Sequence, residues 1–434
     1  MTRALPILLV PAVALAAAVA AADPSGYLKP EGDPKTLAKA ARHFREGVRY
    51  LEKGAPAPAL RVFRRAAKLC PDFFEARYNV AKLEGQERGR DKGIAELEAI
   101  NRDFPANVRA FNDLGQLLVE TEPEAAARAF ETAVTNGEKL LTDEAFKAAG
   151  QDTLAQLAVD LAFAYHNRGA SRLAAGKLDE AEADFTRSIE LNDANFFSHY
   201  GLGLALLQQG EYAAAKASFK RAKALKRSFP GCSIGLARAY LTETPPKPSF
   251  ALAELKEAEA LTGQTAEIEE LYGDAYRLQA NLDTALQRYE KALELGADPA
   301  SIAFKRGLVA REQGDTETAD KQFRECVKKT TEPTLQARAY TELGGLAEIE
   351  GDFRTAANYF GVAIASDPEA HAARLHLGLC LYRLGNQEQA EEYLAAAVAH
   401  YGDDPPEAAA EDVRLARKLL DKIRADRHNQ TQTD

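Results

Sequence analysis

The 434-residue chain has no tryptophan, only four cysteines and no run of strict apolar/polar alternation. The missing alternation excludes a fold built on half-buried strands, whose side chains alternate with a period of two. Signatures of catalysis are missing as well. There is no His-Glu-x-x-His zinc helix, no phosphate loop closing on Gly-Lys, no Gly-x-Ser-x-Gly elbow and no acidic EF-hand ladder. Gly201-Leu202-Gly203 is a fragment of a dinucleotide fingerprint, but it lies inside a helical pattern and not after a strand, where that fingerprint works. Potential metal ligands are scattered. His371 and His376 stand five apart, off one helical face, and His166 and His199 have no cysteine or carboxylate at a matching spacing. No cofactor and no metal is expected, and no pair of carboxylates stands out as an acid/base couple.

An excess of basic charge is also lacking. With 55 Lys and Arg against 65 Asp and Glu, the formal charge is −10, which argues against nucleic acid or anionic lipid as main partners. The one long apolar run, Leu5 to Val19, contains Pro6 and Pro11 and is shorter than the roughly 20 residues of a spanning helix. Arg3 before it and Ala20-Ala21-Ala22 after it make residues 1–22 a secretory signal peptide, removed before Asp23. Losing Arg3 takes the charge from −10 to −11. No cysteine stands directly after the run, so no residue is there to be lipidated. The expected mature chain is exported, periplasmic or secreted, and not inserted in a membrane; the alanine-rich leader favours a bacterium. Residues 23–39, rich in Pro and Gly at their start, are expected to be a flexible lead-in.

What is present is a repeat. The stretch Ala337 to Ala370 places Tyr340, Leu343, Gly344 and Ala347 on one helical face and Ala356, Tyr359, Phe360 and Ala363 on another, with the turn signal Gly351-Asp352 between them. Its pattern returns about every 34 residues from Ala40 to Asp404. The residues equivalent to Gly344 are Gly47, Ala81, Gly115, Gly169, Gly203, Gly235, Gly273, Gly307 and Gly378. About twelve positions on come Ala59, Gly93, Ala126, Ala181, Ala215, Ala251, Ala285, Ala319, Ala356 and Ala390, which let two helices approach closely. One turn further stand Phe63, Leu97, Phe130, Phe185, Phe219, Leu255, Tyr289, Phe323, Phe360 and Leu394, expected as core plugs. Pro71, Pro105 and Pro368 end three of the second helices. Each hairpin leaves an apolar face that only a stacked neighbour covers.

The period and the small/aromatic pattern resemble the tetratricopeptide repeat, in its exported bacterial type, over most of the chain. The resemblance implies an all-α fold: an α-solenoid, a right-handed superhelix of about ten stacked helical hairpins over residues 40–404. A C-terminal capping helix is expected over 405–427, carrying Val413, Ala416, Leu419, Leu420 and Ile423, followed by a polar tail, 428–434. The second repeat, with Gly93 and Ile100 where alanine is usual, is expected to be the softest. Gly115 and Gly169 stand 54 residues apart, so an extra segment, 138–161, precedes the fourth repeat; it either starts that repeat's first helix early or folds over the groove. Thr244-Pro245-Pro246-Lys247-Pro248 lengthens the turn inside the sixth. Cys70, Cys232, Cys326 and Cys380 fall in well-separated repeats, beyond the about 7 Å a disulfide spans, and are expected as free thiols.

In the family, the first helices line the concave groove. Carried over by position, the groove of repeats four to six is Phe163, His166, Asn167, Phe197, Tyr200, Leu204, Leu207, Gln208, Phe229, Leu236 and Tyr240, with Leu173 beside them. Repeats seven to nine offer charge instead: Glu267, Glu270, Asp274, Arg277, Lys305, Arg311, Glu312, Arg338, Glu342 and Glu348. The Lys and Asn that hold a C-terminal carboxylate in chaperone-binding members are matched only by Asn79, beside Phe44 and Val48, so that activity is not implied. The expected function is a non-catalytic scaffold or adaptor of the bacterial cell envelope that holds a protein or peptide partner. The alternative is an accessory subunit of an envelope export or surface-assembly system, such as a polysaccharide or pilus machine; an enzyme is a distant third.

Overall fold

A computed structural model describes residues 26–27, 33–148, 150–403 and 405–431. The expected signal peptide, residues 23–25 and 28–32 of the lead-in and the last three residues of the tail lie outside the described residues. The chain divides into two compact units, Met1–Glu243 and Thr244–Asp434. Among the described residues all regular structure is helical.

In the first unit the hairpins are α1 (Pro34–Glu52) with α2 (Pro56–Leu69), α3 (Phe74–Arg88) with α4 (Arg90–Asp103), and α5 (Val108–Leu118) with α6 (Pro123–Thr142). A short α7 (Glu144–Lys147) precedes α8 (Gln151–Ala174) with α9 (Leu178–Leu191), α10 (Phe196–Gln209) with α11 (Tyr212–Leu225), and α12 (Pro230–Thr242). The second unit opens on α13 (Pro248–Thr262). It continues as α14 (Ala266–Leu278) with α15 (Leu282–Glu294), α16 (Pro299–Glu312) with α17 (Thr316–Lys329), α18 (Pro333–Ile349) with α19 (Phe353–Ser366), and α20 (His371–Arg383) with α21 (Gln387–Tyr401). A final helix, α22 (Ala410–Thr431), follows. Each unit is an α-solenoid of stacked hairpins.

The turns show why the helices break where they do. Gly351 takes φ +81°, a left-handed conformation open to glycine, and Asp352 then accepts from the Thr355 amide at 3.0 Å to cap α19. Asp315 caps α17 in the same way through the Thr318 amide, also at 3.0 Å.

The ring positions fill the core. Phe63, Phe130, Phe185, Phe219, Tyr289, Phe323 and Phe360 are all fully buried, as are Ala126, Ala181, Ala215, Ala285, Ala319 and Ala356 one turn before six of them. Burying each ring removes roughly 2–3 kcal/mol worth of apolar surface from water. The glycine of the first helix makes room for it: a Cβ on Gly344 would meet the Phe360 ring at 2.6 Å. The second repeat uses a different device. A Cβ on Gly93 would come within 3.0 Å of the Gly85 Cα, so α3 and α4 touch backbone to backbone, and Phe74, Tyr78, Ile100 and Phe104 add a core around Leu97.

The extra residues before the fourth repeat extend α6 and α8 and close them with α7. Leu157, Leu161 and Tyr165 of α8 pack on Val134 and Leu140 of α6 and Phe146 of α7. Gly137 admits Leu161, since a Cβ there would stand 2.5 Å from its methyl. Helix α1 begins at Pro34, inside the stretch expected as a lead-in, because Asp33 caps it through the Thr36 amide at 2.9 Å. At the other end Val413, Ala416, Leu420 and Ile423 of α22 cover Leu375, Leu379 and Leu394, and the helix runs to Thr431, into the stretch expected as tail. No disulfide forms among the described residues, and all four cysteines are buried.

Candidate functional site

Helix α10 lies between α8 and α12, so the first helices of repeats four to six form one face within the first unit. The aromatic residues on it touch across the repeats. Phe197 meets Phe229 at 5.7 Å between ring centres and Tyr200 meets Phe229 edge-on at 5.0 Å, while within α10 the Phe196 ring lies tilted against Phe197 at 3.8 Å. Gly231 is small because a Cβ there would stand 2.8 Å from the Phe229 ring. The rings of Phe163, Phe197, Tyr200, Phe229 and Tyr240 are half-buried, as are Leu204 and Leu207, and Gln208 is exposed. Lys216 places its ammonium 5.0 Å from the Tyr240 ring centre. The result is an apolar stripe of half-buried rings.

Three residues expected on this face are not open to a partner. His166, Asn167 and Leu236 are fully buried. Leu236 joins Phe219 and Leu206 in the core. Asn167 turns away to donate to Asn112 Oδ1 at 2.8 Å. His166 is covered by Phe185 and Phe197, 5.6 and 6.1 Å away between ring centres. Position in the repeat puts these side chains on the first helix's inner face, but the neighbouring rings close over them.

The hydrogen bonds around His166 assign its tautomer. Ser188 spends its one proton on the Ala162 carbonyl, 2.6 Å away, so across the 2.8 Å contact between the two hydroxyls Ser198 is the donor. His166 Nδ1, 3.4 Å from Ser198 Oγ, must then carry the proton, and Nε2 is a buried acceptor without a partner. Desolvation pushes the imidazole pKa down to about 4.

A second cluster went unread in the sequence. On α3, α5 and α8, Arg109 donates to Asp160 Oδ2 through Nη2 at 2.9 Å and through Nε at 3.1 Å, and to Glu75 Oε1 at 3.0 Å. Its guanidinium also faces the Tyr78 ring at 5.3 Å. Gln156 donates to the other Asp160 oxygen at 2.9 Å. Beside it, Tyr78 and Lys82 each donate to Asp113 at 2.6 Å. Arg109, Asp113 and Asp160 are all buried. Burial works against the Arg109 cation, but Asp160 and Glu75 outweigh it and hold its pKa above the usual range. The sequence signal was present: Glu75 and Arg109 occupy the same repeat position on consecutive first helices.

In the second unit the charged positions pair with one another between neighbouring first helices. Lys305 bridges Asp274 and Glu270, Arg277 pairs with Glu312, and Arg311 pairs with Glu342. His376 faces Glu348 at 3.0 Å. These charges are therefore largely spent on stacking and do not form a field of one sign. Among the described residues no group of three or more His, Cys, Asp or Glu side chains is placed to hold a metal, and no helix is long and apolar enough to cross a membrane.

Two family models described as tetratricopeptide repeat match the chain, one over residues 347–411 and one over 166–231 and 271–330. Among curated proteins, "Protein O-mannosyl-transferase TMTC1" from Homo sapiens is 28% identical over 187 residues, 41% of this chain and 20% of that protein. "DnaJ homolog subfamily C member 3" from Gallus gallus is 24% identical over 286 residues, 60% of this chain and 56% of that protein. This chain thus spans less than two thirds of either relative. The crystal structure of yeast Tom70 superposes with a TM-score of 0.52 at 12% identity over 90% of each chain, a likeness of fold. With its hairpins, its ring-and-glycine core and these matches, the chain carries tetratricopeptide repeats at residues 166–231, 271–330 and 347–411, on an α-solenoid fold.

Proposed function

We infer that the protein is a non-catalytic adaptor of a bacterial cell envelope, holding an extended or helical segment of another protein on the first helices of repeats four to six. The observation that carries this reading is the aromatic stripe. Phe197, Tyr200 and Phe229 are packed on one another, so their rotamers are fixed, and they remain half-buried, so ring surface is left to bury. Rigid aromatics of this kind dominate interface energetics at low entropic cost. Half-buried Leu204 and Leu207 extend the apolar strip along α10, and exposed Gln208 gives it a polar end. The partner is a protein segment, because a deficit of basic charge disfavours nucleic acid.

Export rests on the apolar run Leu5 to Val19 and the three alanines after it. The test is affinity capture from the envelope fraction of the source cells with the chain lacking residues 1–22. A protein retained by this chain and released by Phe197→Ala with Tyr200→Ala supports the reading. The same proteins retained by both chains, or the native protein recovered only in the cytoplasmic fraction, overturns it.

A further inference from the structure

Gly26 and Tyr27 precede α1, belong to no repeat, and nonetheless lie against α3, α7 and α8. The Tyr27 phenol donates to Asp160 Oδ2 at 2.8 Å, across 133 residues of chain. Its ring stands edge-on to Phe146 of α7, with centres 5.9 Å apart and planes at 88°. Gly26 takes φ +73° and sits so close to Phe74 that a Cβ would meet that ring at 2.6 Å. A small residue in a left-handed turn followed by a phenol is thus read at three points: the Phe74 side chain, the Phe146 ring and the Asp160 carboxylate.

The socket does not depend on Tyr27 for its construction. Arg109 and Gln156 already fix both oxygens of Asp160, and Glu75 fixes the far side of Arg109. Two carboxylates around one guanidinium leave an excess negative charge, which favours a hydrogen-bond donor over an acceptor. Tyr27 is such a donor at neutral pH: burial, then the charge of Asp160, push its pKa well above the ordinary value. Two of the walls, Phe146 on α7 and Asp160 in the early part of α8, come from the extra segment 138–161, which the repeat itself does not require.

We propose that this socket recognises a tyrosine that follows a left-handed glycine in a Gly-Tyr segment of a partner protein, and that Gly26-Tyr27 fills it in cis as a gate the partner must displace. The site is separate from the aromatic stripe on α10 and α12. A tethered segment competes at an effective concentration of order millimolar, so a free segment of the same chemistry binds only weakly until the tether is broken.

The probe is a fluorescent synthetic peptide with the sequence of residues 23–33, in its Tyr form and in a form with Phe in place of that Tyr, followed by anisotropy. It is added to the full chain and to Tyr27→Ala and Tyr27→Phe chains, with thermal unfolding run on each. The expected result is saturable binding of the Tyr peptide to the Tyr27→Ala chain, at least about tenfold tighter than to the unaltered chain, with the Tyr27→Phe chain between them. The Phe peptide, which needs no change in the protein, is expected to bind about tenfold or more weakly than the Tyr peptide. Equal binding of the two peptides, equal binding to the gated and ungated chains, or no saturation up to about 1 mM overturns the proposal. So does concentration-dependent dimerisation of the unaltered chain that Tyr27→Ala abolishes, since the segment would then be exchanged between copies.

Discussion

Gly307 and Phe323 fit as a pair: a Cβ on Gly307 would stand 2.6 Å from the Phe323 ring, which is fully buried. The ring cannot retreat, because Ala303, Ala319 and Leu335 pack around it. Gly307→Ala is therefore expected to destabilise by about 1–3 kcal/mol, the usual effect of overpacking a closed core. Gly345, also inside a helix, has nothing within 4 Å of a built Cβ. Gly345→Ala should stabilise by about 0.5–1 kcal/mol through helix propensity. Urea unfolding of the two variants reads both signs; two shifts in the same direction would contradict the steric account.

The part of the fold that was legible in the sequence is the part determined within one hairpin. Gly344, Ala356 and Phe360 show themselves by spacing alone, because each repeat solves the same packing problem and the solution recurs. Arg109 and Asp160 are 51 residues apart and Asp160 falls inside the extra segment, so no repeat-length pattern joins them. Each looks singly like a solvated helix charge. His166 was legible as an inner-face residue but not as a closed one, since its burial depends on how the rings of Phe185 and Phe197 lie.

His166 makes a pH prediction. Its folded pKa is depressed to about 4, against 6.5 for an exposed imidazole. The unfolded chain takes up a proton first as pH falls, so this contribution is fully present above about pH 6.5 and is lost progressively toward pH 4. At about 1.36 kcal/mol per pKa unit the loss approaches 3 kcal/mol. Between pH 7 and 4.5, His166→Phe should lose about 2–3 kcal/mol less stability than the unaltered chain. Parallel pH profiles in urea unfolding would show that the imidazole is not held neutral.

The buried thiols predict a reactivity pattern. Burial pushes the Cys326 thiol up to about 11 and the Cys380 thiol up to about 12, from 9.0. At pH 8 the thiolate fraction of Cys326 is then about a hundredfold below that of an exposed cysteine, and lack of access slows attack further. Labelling of the native chain, located by mass spectrometry, should leave both residues unmodified until urea is added. Labelling of either at the rate of an exposed thiol would contradict the packing of α17 or α20.

Partner capture and thermal unfolding, measured together on a Phe197→Ala, Tyr200→Ala chain with Phe219→Ala as the core control, bear most directly on the aromatic stripe as a binding surface. Losing two interface anchors of about 2 kcal/mol each weakens capture by roughly a thousandfold if the losses add. Phe219 is fully buried, and its truncation should cost about 3–5 kcal/mol of stability. The account predicts lost capture in the double variant with a smaller fall in unfolding temperature than Phe219→Ala produces. Capture that survives in the double variant, or an unfolding temperature as low as that of the control, would contradict it.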